Sequence, residues 1–159
     1  MAAFRILIAD DHEWVRRSMR MLLASHPGWE VCGEAVDGRD ALKKARRLNP
    51  DLVLLDIGMP YLSGLEVARE LLLNGSESKI LMITVNSNRH VAQESKDLGA
   101  HGFLSKVDAV RDLLPAIGTL QRGETFFPAL DLESAFQTAG ASGSRTSGVS
   151  LVRSAQKPV

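Results

Sequence analysis

The sequence predicts an α/β fold, a doubly wound five-stranded parallel sheet with helices on both faces, in effect a three-layer (βα)5 sandwich. Three observations lead there. Short apolar runs alternate five times with amphipathic helical patterns within about 125 residues, and such alternation builds a parallel sheet through right-handed crossovers. The run Leu52–Leu55 (LVLL) is apolar at every position, as a central parallel strand covered on both faces must be. Acidic residues close the first and third runs. In an open parallel sheet the site lies at the carboxyl ends of the strands, near the point where strand order reverses.

Each element has its own signal. Phe4–Ala9 (FRILIA) reads as a buried strand, and Val15, Met19, Leu22 and Leu23 follow at helical spacing until Pro27-Gly28 stops the helix. Trp29–Val36 alternates polar and apolar, which suits a strand less completely covered. Gly38-Arg39-Asp40 opens a helix with Ala41, Leu42, Ala45 and Leu48 on one face, closed by Asn49-Pro50. After the third strand, a helix over about residues 65–73 ends at Asn74-Gly75, and Lys79–Thr84 (KILMIT) is the fourth strand. A helix over about 90–98 ends at Gly99, Gly102–Leu104 is a short fifth strand, and the last helix lies near 108–122. Pro115 falls inside that helix, where it removes a donor and clashes with the carbonyl of Arg111. Either the regular helix starts near Leu114 or it is kinked.

Composition narrows the function classes. The 159 residues are 45% hydrophobic and 24% charged, as in ordinary globular proteins. Nineteen basic and nineteen acidic residues leave no net field to draw the chain to nucleic acid or anionic lipid. The single cysteine, Cys32, excludes an internal disulfide and a cysteine-rich zinc module, and reads as a small core residue on strand 2. No apolar run approaches the roughly 20 residues that span a bilayer, and the N-terminus has no basic leader or cleavage site, so a cytoplasmic protein is expected. From Thr138 onward the only ionisable residues are Arg145, Arg153 and Lys157, within a stretch rich in Gly, Ser, Ala and Thr. That composition cannot bury enough apolar surface to offset ordering, so residues 129–159 are expected to form a flexible polar tail after a folded domain over 1–128.

The strand ends carry the chemistry. Asp10-Asp11 closes strand 1, Asp56 strand 3 and Thr84 strand 4, while Lys106 follows strand 5. Singly these are bland: Asp10-Asp11 suits a helix N-cap, Asp56 a turn, and Thr and Lys are common at such places. Together, three carboxylates without counter-charge would repel one another, and a hard divalent cation such as Mg2+ relieves that. A lysine and a hydroxyl added to such a cation suit a transferring phosphoryl group. A carboxylate can also accept one covalently, as an aspartyl phosphate.

With those positions go the stretches LIADDHEWVRRSMRMLL, GEAVDGRDALKKARRLNPDLVLLDIGMPYLSGLEVA, ILMIT and LGAHGFLSK followed by GETFF. Over about residues 4–128 they resemble the receiver domain of bacterial two-component response regulators, of flavodoxin/CheY-like fold and NarL/LuxR type. The resemblance implies that Asp56 is the phosphoacceptor, Asp11 a direct Mg2+ ligand and Asp10 a second acidic residue holding the metal through water. It implies a ligand from the backbone carbonyl of Gly58, a phosphoryl contact from Thr84 paired with Lys106, and Phe103 as the aromatic switch whose ring turns inward with Thr84. It further implies a sensor histidine kinase or phosphotransfer protein as donor and an unidentified downstream protein partner. A symmetric homodimer through the switch face or through helices 1 and 5 is a further arrangement it allows. The protein is then a self-phosphorylating and self-clearing signalling switch, not an enzyme acting on free substrates.

Two departures bear on the alternatives. Val107 stands where many receivers have proline, a subfamily trait. No helix-turn-helix domain follows, so no recognition helix is available and direct DNA binding by this chain is not expected. The basic residues Arg16, Arg17 and Arg20 on helix 1, and Lys43, Lys44, Arg46 and Arg47 on helix 2, read as solvated faces of amphipathic helices. None of His12, His26, His90 and His101 has metal-ligand spacing, and His12 is at most a neighbour of the site's rim. The alternative readings are the receiver portion of a truncated NarL/LuxR-type transcription regulator, and a haloacid-dehalogenase-like phosphatase. The latter needs an acid/base Asp two residues after its nucleophile, where this chain has Gly58.

Overall fold

A computed structural model describes residues 2–130. Its elements are β1 (Phe4–Ala9), α1 (Glu13–Ala24), β2 (Trp29–Ala35), α2 (Gly38–Leu48) and β3 (Leu52–Asp56), then α3 (Gly64–Leu73), β4 (Lys79–Thr84), α4 (Arg89–Leu98), β5 (Gly102–Ser105) and α5 (Ala109–Gln121). The strands form one parallel sheet in the order β2-β1-β3-β4-β5. Chain order therefore reverses between β1 and β3, and the carboxyl ends of those two strands, Ala9 and Asp56, open the crevice expected to hold a site. Most of the expected tail, residues 131–159, lies outside the described residues.

Alternation along the strands makes the two faces. Ile6, Ile8, Leu52, Leu54, Leu81, Ile83 and Leu104 pack with Val15, Met19 and Leu23 of α1 and Leu113, Ala116, Ile117 and Leu120 of α5 in one buried cluster. The intervening residues Leu7, Val53, Leu55, Ile80, Met82 and Phe103 are equally buried on the opposite face, where α2 contacts α3 and α3 contacts α4. Every residue of β3 is buried, whereas edge strand β2 is mostly half-buried, matching their continuous and alternating sequence patterns.

Local chemistry fixes the ends of the helices. Asp37 caps α2 by accepting the Asp40 N–H, and Asn49 ends it in the left-handed conformation. Ser63 and Glu66 form a reciprocal capping box on α3. Gly64, at the head of that helix, lies so close to the strand before it that a Cβ there would meet the Asp56 carbonyl oxygen at 2.3 Å.

Three expectations change. The cap of α1 is His12, with no side-chain cap bond, so Asp10 and Asp11 do not cap that helix. Cys32 is half-buried and is the extra residue of a β-bulge, since Ile6 pairs with Val31 and Leu7 with Gly33. Helix α5 runs through Pro115 from Ala109, which removes the option of a start near Leu114. Pro115 and Arg111 are both solvent-exposed, so the carbonyl that loses its helical donor has water within reach.

Candidate functional site

Asp10 follows the last residue of β1. Its N–H donates to the Ala35 carbonyl of β2 at 3.1 Å, which extends the β1–β2 ladder to the loop itself. The side chain is 1% exposed, and its Oδ1 accepts the His12 N–H at 2.9 Å. Oδ2 accepts no well-angled hydrogen bond, although the Lys106 ammonium stands 2.7 Å away. Asp56, 4% exposed, closes β3; its Oδ1 accepts the Gly58 N–H at 3.2 Å and its Oδ2 lies 3.2 Å from Lys106 Nζ. One ammonium thus joins two buried carboxylates from the two strands that flank the reversal.

Burial first, and then the neighbouring Asp10 charge, push the Asp56 carboxyl above the usual aspartate range, against the pull of Lys106. Burial disfavours the Lys106 ammonium, yet the Asp10 and Asp56 carboxylates outweigh it and hold Lys106 above the ordinary lysine range. Two acids sharing one base leave an uncompensated negative charge in a buried place, before Asp11 is counted.

Asp10, Asp11, His12 and Asp56 each bring one ligand atom within 4.8 Å of the others, a grouping that could hold a metal ion. Sequence spacing gives His12 no ligand role, yet its Nδ1 lies 3.3 Å from Asp10 Oδ1 and 3.2 Å from Asp11 Oδ1. Adjacency to the acidic pair was its only signal.

Of the remaining expected residues, Gly58 and Thr84 adjoin this cluster through Asp56 and Lys106, and Phe103 lies on β5. Thr84 is buried; its hydroxyl oxygen accepts the Asn86 N–H at 3.2 Å, and its carbonyl accepts the Lys106 N–H at 2.8 Å, which ties the β4 end to the lysine. Gly58 is exposed, with open space where a side chain would stand. Phe103 pairs in register with Met82 and is 2% exposed, so its ring is turned inward in this conformation.

The basic face assigned to helix 1 is not a wholly solvated one. Arg16 is 11% exposed, donates from Nη1 to the Asp10 carbonyl at 2.7 Å, and pairs through Nε with Glu34 Oε1 at 3.2 Å. Arg20 pairs with the other oxygen of Glu34. Lys44 of α2 likewise donates to the Glu34 carbonyl at 2.5 Å and pairs with Asp40 at 3.1 Å. Nothing local in the sequence shows this network, because it depends on β2 lying beside β1.

No helix among the described residues is long and apolar enough to cross a membrane. The family model described as "Response regulator receiver domain" matches residues 6–118. Response regulator GacA of Pseudomonas viridiflava is 35% identical over 122 residues, which cover 77% of this chain and 57% of that protein. Response regulator UvrY of Escherichia coli K12 is 36% identical over 121 residues, covering 76% and 56%. The chain therefore spans little more than half the length of these relatives. Among solved structures, a LuxR-family two-component response regulator from Aurantimonas sp. SI85-9A1 superposes with a TM-score of 0.80 at 29% identity, covering 87% of this chain and 99% of that one. With its five-stranded parallel sheet and its acidic crevice at the strand ends, this chain belongs to the response regulator receiver domain family of two-component signalling.

Proposed function

We propose that residues 1–128 act as a phosphoacceptor switch in which Asp56 takes a phosphoryl group from the phosphohistidine of a sensor kinase or phosphotransfer protein. The observation that carries this reading is the pairing of buried Asp56 with Lys106 beside Asp10, at the carboxyl end of the central strand. The carboxylate attacks phosphorus in line, the P–N bond to the donor imidazole breaks, and a mixed anhydride remains on Asp56. Lys106 offsets charge on the phosphoryl oxygens, and the Thr84 hydroxyl gives them a hydrogen bond. Water later attacks phosphorus, releases inorganic phosphate and restores the carboxylate, so the signal clears without a second enzyme.

The residues fit a hard divalent cation. The donors are mainly carboxylate oxygens, their negative charge exceeds that of Lys106, and buried Asp10 Oδ2 lacks a directed hydrogen bond. Asp11 and Asp56 would ligate Mg2+ directly, Asp10 through water, and the Gly58 carbonyl would complete the protein's share. Bound there, Mg2+ would neutralise charge on the phosphoryl oxygens.

Readout is a shift between two conformations, with Thr84 drawn to the phosphoryl group and Phe103 packing behind it. Phe103 has no hydroxyl to bond at either end of its travel, so packing alone supplies its energy. Phosphorylation changes the surface offered to a downstream protein partner or to a second copy of the chain. The cytoplasm, where sensor kinases present their phosphohistidine, is the compartment consistent with this role. A second reading, the receiver portion of a longer NarL/LuxR-type regulator, is supported by the greater length of GacA and UvrY.

Intact mass after incubation with acetyl phosphate and Mg2+ tests the proposal. The expected result is one phosphoryl adduct, removed by hydroxylamine and absent from Asp56→Asn. Equal phosphorylation of that variant would overturn the assignment of Asp56.

A further inference from the structure

We propose that Arg16, clamped against Glu34, is a positioning residue that fixes the acidic loop after β1 for divalent-cation binding; this rests on the proposed cation site. The loop must hold two adjacent carboxylates, Asp10 and Asp11, in a fixed place although they repel each other and Asp56. The backbone of Asp10 is fastened on both sides of its Cα. Its N–H is held by the Ala35 carbonyl at 3.1 Å, and its carbonyl by Arg16 Nη1 at 2.7 Å. A guanidinium suits the second task because its planar fork can serve two acceptors in one orientation. Here the second acceptor is Glu34 Oε1, 3.2 Å from Nε.

Glu34 is itself immobilised. It pairs in register with Ile8, two residues before Asp10. Arg20 holds its other carboxylate oxygen, and Lys44 holds its backbone carbonyl. The chain of support therefore runs from α2 through β2 and Arg16 to the carbonyl of Asp10. Arg16 touches no carboxylate of the candidate site and acts through the backbone of Asp10. Arg20 shares Glu34 but does not reach the loop, so it separates a general structural role from a positioning one.

Electrostatics alone would give the opposite sign. Removing a positive charge near a cation site strengthens cation binding by Coulomb's law. Loss of a positioning group weakens it, and residues that orient metal ligands commonly contribute ten- to a hundredfold in affinity.

The test is calorimetric Mg2+ titration of the full chain, wild type beside Arg16→Gln, Arg16→Lys and Arg20→Gln, with circular dichroism to confirm that each is folded. Arg16→Gln is expected to weaken Mg2+ binding by about tenfold. Arg16→Lys, whose ammonium cannot serve both acceptors in the same planar geometry, should fall between it and wild type and carries the test if Arg16→Gln does not fold. Arg20→Gln, which leaves the Arg16 bond to the Asp10 carbonyl in place, should weaken Mg2+ binding clearly less than Arg16→Gln does. Unchanged or tighter binding by Arg16→Gln, or equal weakening by Arg20→Gln, overturns the inference. Absence of saturable Mg2+ binding by wild type overturns the cation site itself, and with it this inference, a result distinct from failure of the variants alone.

Discussion

Lys106 Nζ stands 3.2 Å from Asp56 Oδ2, and this pair joins the loop after β5 to the central strand. The same ammonium lies 2.7 Å from Asp10 Oδ2, so a single positive charge is shared between two strand ends. Lys106→Met should therefore separate cation binding from phosphoryl acceptance. Mg2+ affinity is expected to hold or rise, since a competing positive charge is gone. Phosphorylation by acetyl phosphate should slow by roughly a hundredfold, as expected for a lost electrostatic stabiliser of the transition state. Titration calorimetry and the rate of mass gain measure the two effects separately.

Asp56 makes the cation-free fold pH-dependent. Its folded pKa is raised, so between the ordinary aspartate value and that raised value the folded chain binds more protons than the unfolded one. Stability without Mg2+ should accordingly fall as pH rises through that window. Asp56→Asn should flatten this part of the profile and stabilise the cation-free fold at neutral pH by about 1–2 kcal/mol, in the way relief of a strained functional site commonly does. Thermal unfolding in chelator across a pH series reads both effects.

His101 gives a slope of the opposite sense. Its Nδ1 accepts the Ile80 N–H at 2.9 Å, which only an unprotonated nitrogen can do. Burial, and then the Lys79 charge, lower its pKa. The stability it contributes is complete above the unfolded histidine value and is lost as pH falls through the depressed folded value. His101→Asn should remove about 1 kcal/mol of stability at neutral pH, the worth of one hydrogen bond. It should also make the profile flatter on the acid side, as seen by denaturant unfolding.

Gly64 couples packing to the site. An added methyl would lie 2.3 Å from the Asp56 carbonyl oxygen and 2.8 Å from Ile57 Cα, both backbone atoms that cannot swing aside. Gly64→Ala should cost roughly 1–3 kcal/mol, as overpacking does. Because the displaced backbone is that of Asp56, the phosphorylation rate should fall even well below the melting temperature. A variant that loses stability but keeps the rate would show that the strand end tolerates the shift.

Much of this was legible in the sequence, and the gaps have physical causes. Strands such as LVLL are buried on both faces and so appear as unbroken apolar runs, which placed β3 and with it Asp56. Strand-end position then brought Asp10, Thr84 and Lys106 to the same edge, because parallel strands all end on one side. Arg16 was illegible: its burial depends on Glu34, eighteen residues away on a strand whose place beside β1 no local pattern shows. The Cys32 bulge belongs to the pairing of two strands and leaves no mark on either alone. Pro115 leaves two options open in the sequence, because its cost depends on whether water can reach the deserted carbonyl.

Borohydride trapping reads out whether Asp56 itself carries the phosphoryl group. After incubation with acetyl phosphate and Mg2+, hydride reduces an acyl phosphate to an alcohol and releases phosphate, turning the modified aspartate into homoserine. Peptide mass mapping is predicted to find that mass change at residue 56, dependent on acetyl phosphate. Reduction at Asp10 or Asp11 instead, or none at residue 56 in a chain that has gained phosphate, would rule out Asp56 as the acceptor.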